Sequence, residues 1–179
     1  MANVNNPHGF RPLLRSLSGG PGAALLQVSK LAGYATALFI GDVVTKVSGS
    51  TQNWPAVSAA ITPGTTAAFG VNLVYGAASV ATNHLVIPVD SQIFEVQANG
   101  TVNITAAVLN QNANISLGAG SATLQISGHV LDSNTLATTN TLDLHIMQLW
   151  QSADNVLGQY SRLEVKFNTN VYGNQQAGA

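Results

Sequence analysis

The sequence predicts an all-β protein, a sandwich or barrel of short antiparallel strands. Two observations carry this: short apolar runs recur between Gly, Pro and Asn-rich breaks, and no stretch sustains a 3.6-residue period. The 179 residues show no composition break and no internal repeat, so a single domain is expected, long enough to bury roughly 70% of its unfolded surface.

The clearest alternation lies in Val86 to Thr105, VIPVDSQIFEVQANGTVNIT. Phe94, Val96 and Ala98 share one face at period 2 and are expected in the core. Ile93, Glu95 and Gln97 share the other, a mixed face that is a candidate contact surface. Asn99-Gly100 suits a two-residue type I′ turn, which predicts a hairpin returning through Val102 and Ile104.

In chain order, Met1 to Gly22 contains Pro7, Pro12, Pro21 and four glycines with few anchoring residues. It is expected to be an extended arm that orders only against another subunit, with Phe10 as anchor and Arg11 as fork donor. Ala23 to Lys30 and Tyr34 to Val47 read as strands, the second broken at Gly41-Asp42. Phe69 to Tyr75 and Leu85 to Val89 follow, with Pro88 marking an edge or bulge because it has no N–H for a ladder. Thr105 to Leu117 permits a turn or two of helix, but its Asn-rich half predicts loop. Thr123 to Leu131, Thr141 to Gln151 and Gln159 to Phe167 are the last strand candidates. The organisation expected is an arm over 1–22, a β body over 23–168 and a polar tail over 169–179.

Charge narrows the function classes. Six Lys and Arg against seven Asp and Glu give a net charge of −1, and 7% of residues are charged while 46% are hydrophobic. An ordinary charged fraction is about 25%, so Asn, Thr, Ser, Gln and Gly must make the exterior. Nucleic acid is not an expected partner, because phosphate neutralisation needs clustered Lys and Arg. Ala23 to Ile40 is too interrupted for a membrane span, and the first residues do not resemble an export signal, so synthesis in the cytoplasm without export is expected. The absence of Cys removes disulfides and Cys-ligated zinc.

Few residues suggest chemistry. Asp143 and His145, two apart on the polar face of Thr141 to Met147, could orient an imidazole or form half a metal site; a solvent-facing polar row is the expected reading. His84, His129 and His145 are isolated in sequence. Asp90 and Glu95 fall on opposite faces by their spacing and read as structural rather than as a carboxylate pair. Gly19-Gly20-Pro21-Gly22 lacks the Lys-Ser/Thr of a phosphate loop. The Asn-x-Ser/Thr matches at Asn99, Asn103 and Asn114 have no export signal to give them meaning. Trp54 and Trp150 are unlinked and read as core or interface anchors. No catalytic residue, metal site or cofactor is expected, and an enzyme ranks last among the function classes.

Met1-Ala2-Asn3 with Gly9-Phe10-Arg11-Pro12, then Ile93-Phe94-Glu95-Val96-Gln97, then Ser127-Gly128 through Leu131-Asp132 resemble the cement, or decoration, proteins of tailed-phage heads. Thr135 through Ala137-Thr138-Thr139, Thr141-Leu142, Ile146, Asn155 with Gly158-Gln159-Tyr160, and Val165 with Asn168 continue the pattern over nearly the whole chain. Each motif is short, and their order carries the resemblance. The family tends to have a His near the last strand, where this chain reads Asn168-Thr169-Asn170. The resemblance implies a jelly-roll-like fold and a virion location on the capsid exterior. It also implies the major capsid protein as partner, capsomer bridging against packaged-DNA pressure, and a homo-oligomer, with a dimer favoured and a trimer possible. Phe10, Arg11, Ile93, Glu95 and Gln97 are the candidate capsid or subunit contacts. The second function class is a host- or glycan-binding β module of a tail or fibre, which would need an exposed aromatic platform.

Overall fold

A computed structural model describes residues 3–16, 25–48, 54–90, 92–171 and 173, and it is all-β, with a single 3-10 turn at Ala106–Val108 among those residues. Five strands form a closed barrel: β2 (Leu26–Lys30), β3 (Val43–Val47), β4 (Ala56–Ser58), β5 (Gly70–Asn72) and β6 (Thr82–Pro88), in the order β2-β4-β3-β5-β6. The other six form one sheet: β1 (Arg11–Ser16), β7 (Gln92–Gln97), β8 (Asn112–Ser116), β9 (Val130–Ala137), β10 (Leu144–Leu149) and β11 (Arg162–Phe167), ordered β1-β7-β11-β10-β8-β9. A bridge between Ala98 and Leu131 draws the far strand β9 back towards the end of β7, so the sheet curls.

Period 2 explains how the two units share a core. Val28, Val44, Val57, Phe69 and Val86 cluster with Leu38, whereas the alternate residues Val43, Val71 and Ile87 join Phe94, Val96, Leu144, Ile146, Leu163, Val165 and Phe167 of the sheet. The barrel strands are thus buried on both faces where the sheet covers them. Phe10 joins the second cluster, its ring 5.2 Å from Phe167 and 6.4 Å from Phe94.

Several elements differ from the expectation. The described part of the N-terminal segment is not a free arm: Arg11–Ser16 is a strand paired antiparallel with β7, and Phe10 is buried within the same chain. Residues 17–22 of the expected arm lie outside the described residues. At the other end, Ala68 bridges Asn170, so the body runs past residue 168; of the remaining tail, residues 172 and 174–179 are outside the described residues.

Asn99-Gly100 makes no two-residue hairpin. The neighbours of β7 are β1 and β11, the chain after Gly100 is irregular, and Val102 is exposed. Asn99 instead accepts from the Ser133 hydroxyl at 2.6 Å and donates to Asp132 at 2.8 Å, tying the turn to β9. The Asn-rich stretch expected as loop is β8, with Ala113 and Ile115 inward. Thr123 to His129 is turn and irregular chain with isolated bridges at Ile126, the strand beginning at Val130 and running through the polar residues Asp132 to Thr135. Pro88 is the last residue of β6 in a closed barrel, where its missing N–H interrupts no further pairing.

Candidate functional site

The outer face of the sheet carries polar side chains in register. Arg11 lies opposite Glu95, Glu95 opposite Glu164, and Glu164 opposite Gln148, across β1, β7, β11 and β10; Gln97 lies opposite Arg162. A face of this kind normally meets water. Here Glu95, Gln97 and Glu164 are buried nonetheless, and for Glu95 and Gln97 the reason is the chain's own residues 3–8, which cross them as a strap.

The strap is held by side chains. The Asn3 amide donates to the carbonyls of Val156 and Gln159, each at 2.8 Å, and its oxygen accepts from the Val156 N–H at 3.0 Å. Gln97 reads the strap backbone, accepting from the Asn6 N–H and donating to the Val4 carbonyl, both at 2.9 Å. His8 Nε2 stands 3.2 Å from Glu95 Oε1, and Arg162 Nε lies 3.9 Å from the same oxygen. Gly9 makes the next step possible. With φ at +71° it reverses the alternation, so His8 lies against the outer face while Phe10 enters the core; a Cβ there would stand 2.6 Å from the Gly41 carbonyl oxygen.

Electrostatics fit a latch. Burial pushes the Glu95 carboxyl up, but the His8 hydrogen bond and the charges of His8, Arg11 and Arg162 outweigh it and hold the group below the ordinary glutamate range. His8 Nδ1 faces the Gly9 carbonyl at 3.0 Å while Nε2 faces the carboxylate. Arg162 also reaches out to Asp154, which is largely exposed. Arg11 is exposed and has no ion-pair partner within 4 Å among the described residues, so its guanidinium is available to an external carboxylate. A cavity of about 210 Å³ opens between the strap and the sheet, with Arg11, His8, Gln97, Tyr160 and Arg162 in its wall.

Four of the five sequence candidates therefore meet here: Arg11, Glu95 and Gln97 around the strap, with Phe10 beneath it. Ile93 is buried near the start of β7. Sequence reasoning missed His8, Asn3 and Arg162. The spacing of His8 and Phe10 about a glycine was the signal available, and it is intelligible only once Gly9 is known to be left-handed.

The remaining candidates do not form one constellation. Asp143 and His145 are not a solvent-facing row; both are buried. Asp143 accepts from the N–H groups of Gly64 at 2.9 Å and Ile115 at 3.1 Å, and burial raises its carboxyl against the pull of those two donors. The two ring nitrogens of His145 face Asn112 at 2.7 Å and Asn110 at 3.1 Å. His84 lies between Asn72 and Thr82, at 2.8 and 2.7 Å. His129 accepts from the Val43 N–H and faces Asp42 at 3.5 Å. Burial holds the imidazoles of His84, His129 and His145 below the ordinary histidine range. No group of three His, Asp or Glu able to hold a metal ion occurs among the described residues. Asp90 is exposed while Glu95 is buried, and Trp54 is partly exposed.

Family models, curated proteins and solved structures give no match to this chain.

Proposed function

We propose that the protein is a cement protein of a tailed-phage head, binding the outside of the major capsid shell, bridging adjacent capsomers and stabilising the head. The observation that carries this reading is the exposed Arg11 guanidinium beside Glu95 and Gln97, anchored by the buried Phe10. These are residues of two of the motifs in the family resemblance, Gly9 to Pro12 and Ile93 to Gln97, and they are neighbours in space. A fork donor on a rigid strand recognises a shell carboxylate bidentately. A surface with few charges leaves most of the remaining contact to apolar burial and neutral hydrogen bonds, and contacts repeated over a shell gain by multivalency about 10²- to 10⁴-fold.

The test is co-sedimentation with intact heads. Wild-type protein should bind in stoichiometric amount and remain bound in moderate salt, and Arg11→Ala should lower occupancy without unfolding the protein. Complete stripping by moderate salt from intact shells, or unchanged occupancy of Arg11→Ala, would contradict the reading.

A second reading, a glycan-binding module of a tail or fibre, draws on a different place. A cavity of about 400 Å³ beside the barrel is walled by Tyr34, Phe39 and Thr36, with Asp42 and His129 in its lining. An aromatic wall with fixed polar groups suits a sugar ring. Calorimetric titration with simple hexosides decides it: heat lost in Phe39→Ala favours the module, and no heat with wild type disposes of it.

A further inference from the structure

We propose that the groove across β7 and β11 binds the N-terminal segment of a second copy of this chain, so that residues 3–16 are exchanged between subunits. The segment meets the body as an extended peptide meets a receptor. It adds a strand to β7, packs Phe10 against the touching rings of Phe94 and Phe167, and fixes its direction with Asn3, the Asn6 backbone and His8. These contacts are with residues that follow the barrel strands β2 to β6 in the chain, at Phe94, Glu95, Gln97, Ser127, Val156 to Gln159 and Phe167, apart from those that Gly9 and Phe10 make with Gly41. None requires segment and groove to belong to one chain.

The connection to the body has the composition of a hinge. Leu17-Ser18-Gly19-Gly20-Pro21-Gly22-Ala23-Ala24 separates the segment from Leu25, and eight residues reach at most about 26–29 Å. Exchange keeps every contact of the closed form and costs association entropy, which a high local concentration offsets. With 7% charged residues and a net charge of −1, repulsion between copies is weak. The latch of each site would then be built from two chains, His8 and Arg11 from one and Glu95, Gln97 and Arg162 from the other.

The chain has no cysteine, so a designed disulfide reports the partner directly. Ser16 and Gln92 are Cα partners in the β1–β7 ladder. Ser16→Cys/Gln92→Cys, oxidised at about 1 mM protein, the scale of a short-tether effective concentration, should run as a covalent dimer on a non-reducing gel. A mixture of the Ser16→Cys and Gln92→Cys chains, co-refolded, should give a disulfide joining the two. Each carries one substitution, so this arm serves even if the double variant misfolds. Internal bridges alone in the double variant, with no cross-chain disulfide in the mixture, overturn the proposal, whether the protein is then monomeric or associates through another surface. The readout needs no heads, so its failure leaves the cement reading to co-sedimentation.

Discussion

Replacing Glu95 by Ala separates the structure from the strand pattern most sharply. Alternation alone places Glu95 on a contact face, where its loss would leave the melting temperature near wild type. In the structure Glu95 is buried, with His8 at 3.2 Å and Arg162 at 3.9 Å. Leaving a buried polar group without its partner costs about 1–3 kcal/mol. Arg162 is partly exposed and keeps Asp154, so the buried Nε2 of His8 is the group stranded, and the loss belongs at the upper end, about 3 kcal/mol. For a chain of this size each kcal/mol moves the midpoint by about 2–4 °C, giving a fall of about 6–12 °C. Thermal melts followed by circular dichroism measure it. The partner variant His8→Ala completes a double-mutant cycle, in which the pair should be non-additive by at least about 0.5 kcal/mol. Glu95→Ala melting within about 2 °C of wild type, or strict additivity with His8→Ala, would refute the latch.

Further perturbations read the same architecture. Phe10→Ala removes a buried ring that touches Phe94 and Phe167, and should cost about 3–5 kcal/mol in urea denaturation; an unchanged midpoint would mean that the segment does not dock. Gly9→Ala puts a Cβ 2.5 Å from that of Ser127 at a φ of +71°, and should destabilise by about 1–3 kcal/mol, with the strap amides losing hydrogen-exchange protection first. Acid should weaken the fold in two stages. His84, His129 and His145 titrate below their unfolded value when folded, so the unfolded chain binds more protons, and stability present above about pH 6.5 falls as pH drops through that value. The depressed Glu95 carboxyl has the same sign at lower pH: its contribution is present above about pH 4.3 and lost as pH falls through the folded value. The raised Asp143 carboxyl opposes it there. Melting temperature against pH, compared between wild type and His84→Gln, should show a flatter limb below neutrality in the variant.

Much of the sheet was legible because its inward residues alternate plainly. Phe94 and Val96, Leu144 and Ile146, and Leu163 and Val165 sit where period 2 puts them. Prediction failed where polar side chains are satisfied by distant backbone, which no local pattern reports. Asn112 lies in a strand because its amide donates to the Thr139 carbonyl at 2.8 Å, and Asp143 is buried because two remote N–H groups point at it. The site was half legible. The odd mixture on the outer face of β7 marked Glu95 and Gln97 as a contact surface, but what covers them is the chain's own segment about ninety positions away. Asn99-Gly100 misled because a turn dipeptide fixes local geometry and not the identity of the neighbouring strand.

The position of β1 in the sheet also has a temporal consequence. Its partner is β7, whose other neighbour is β11, ending at Phe167. On a ribosome adding about 5–20 residues per second, the chain from Ser16 to Gln97, the end of β7, takes about 4–16 s to emerge. For that interval the first strand made has no neighbour to pair with, although the consecutive strands of the barrel can already assemble. The N-terminus is born first but docks only once β7 has followed the whole barrel, and the other edge of β7 stays unpaired until β11, when almost the whole polypeptide has been synthesised.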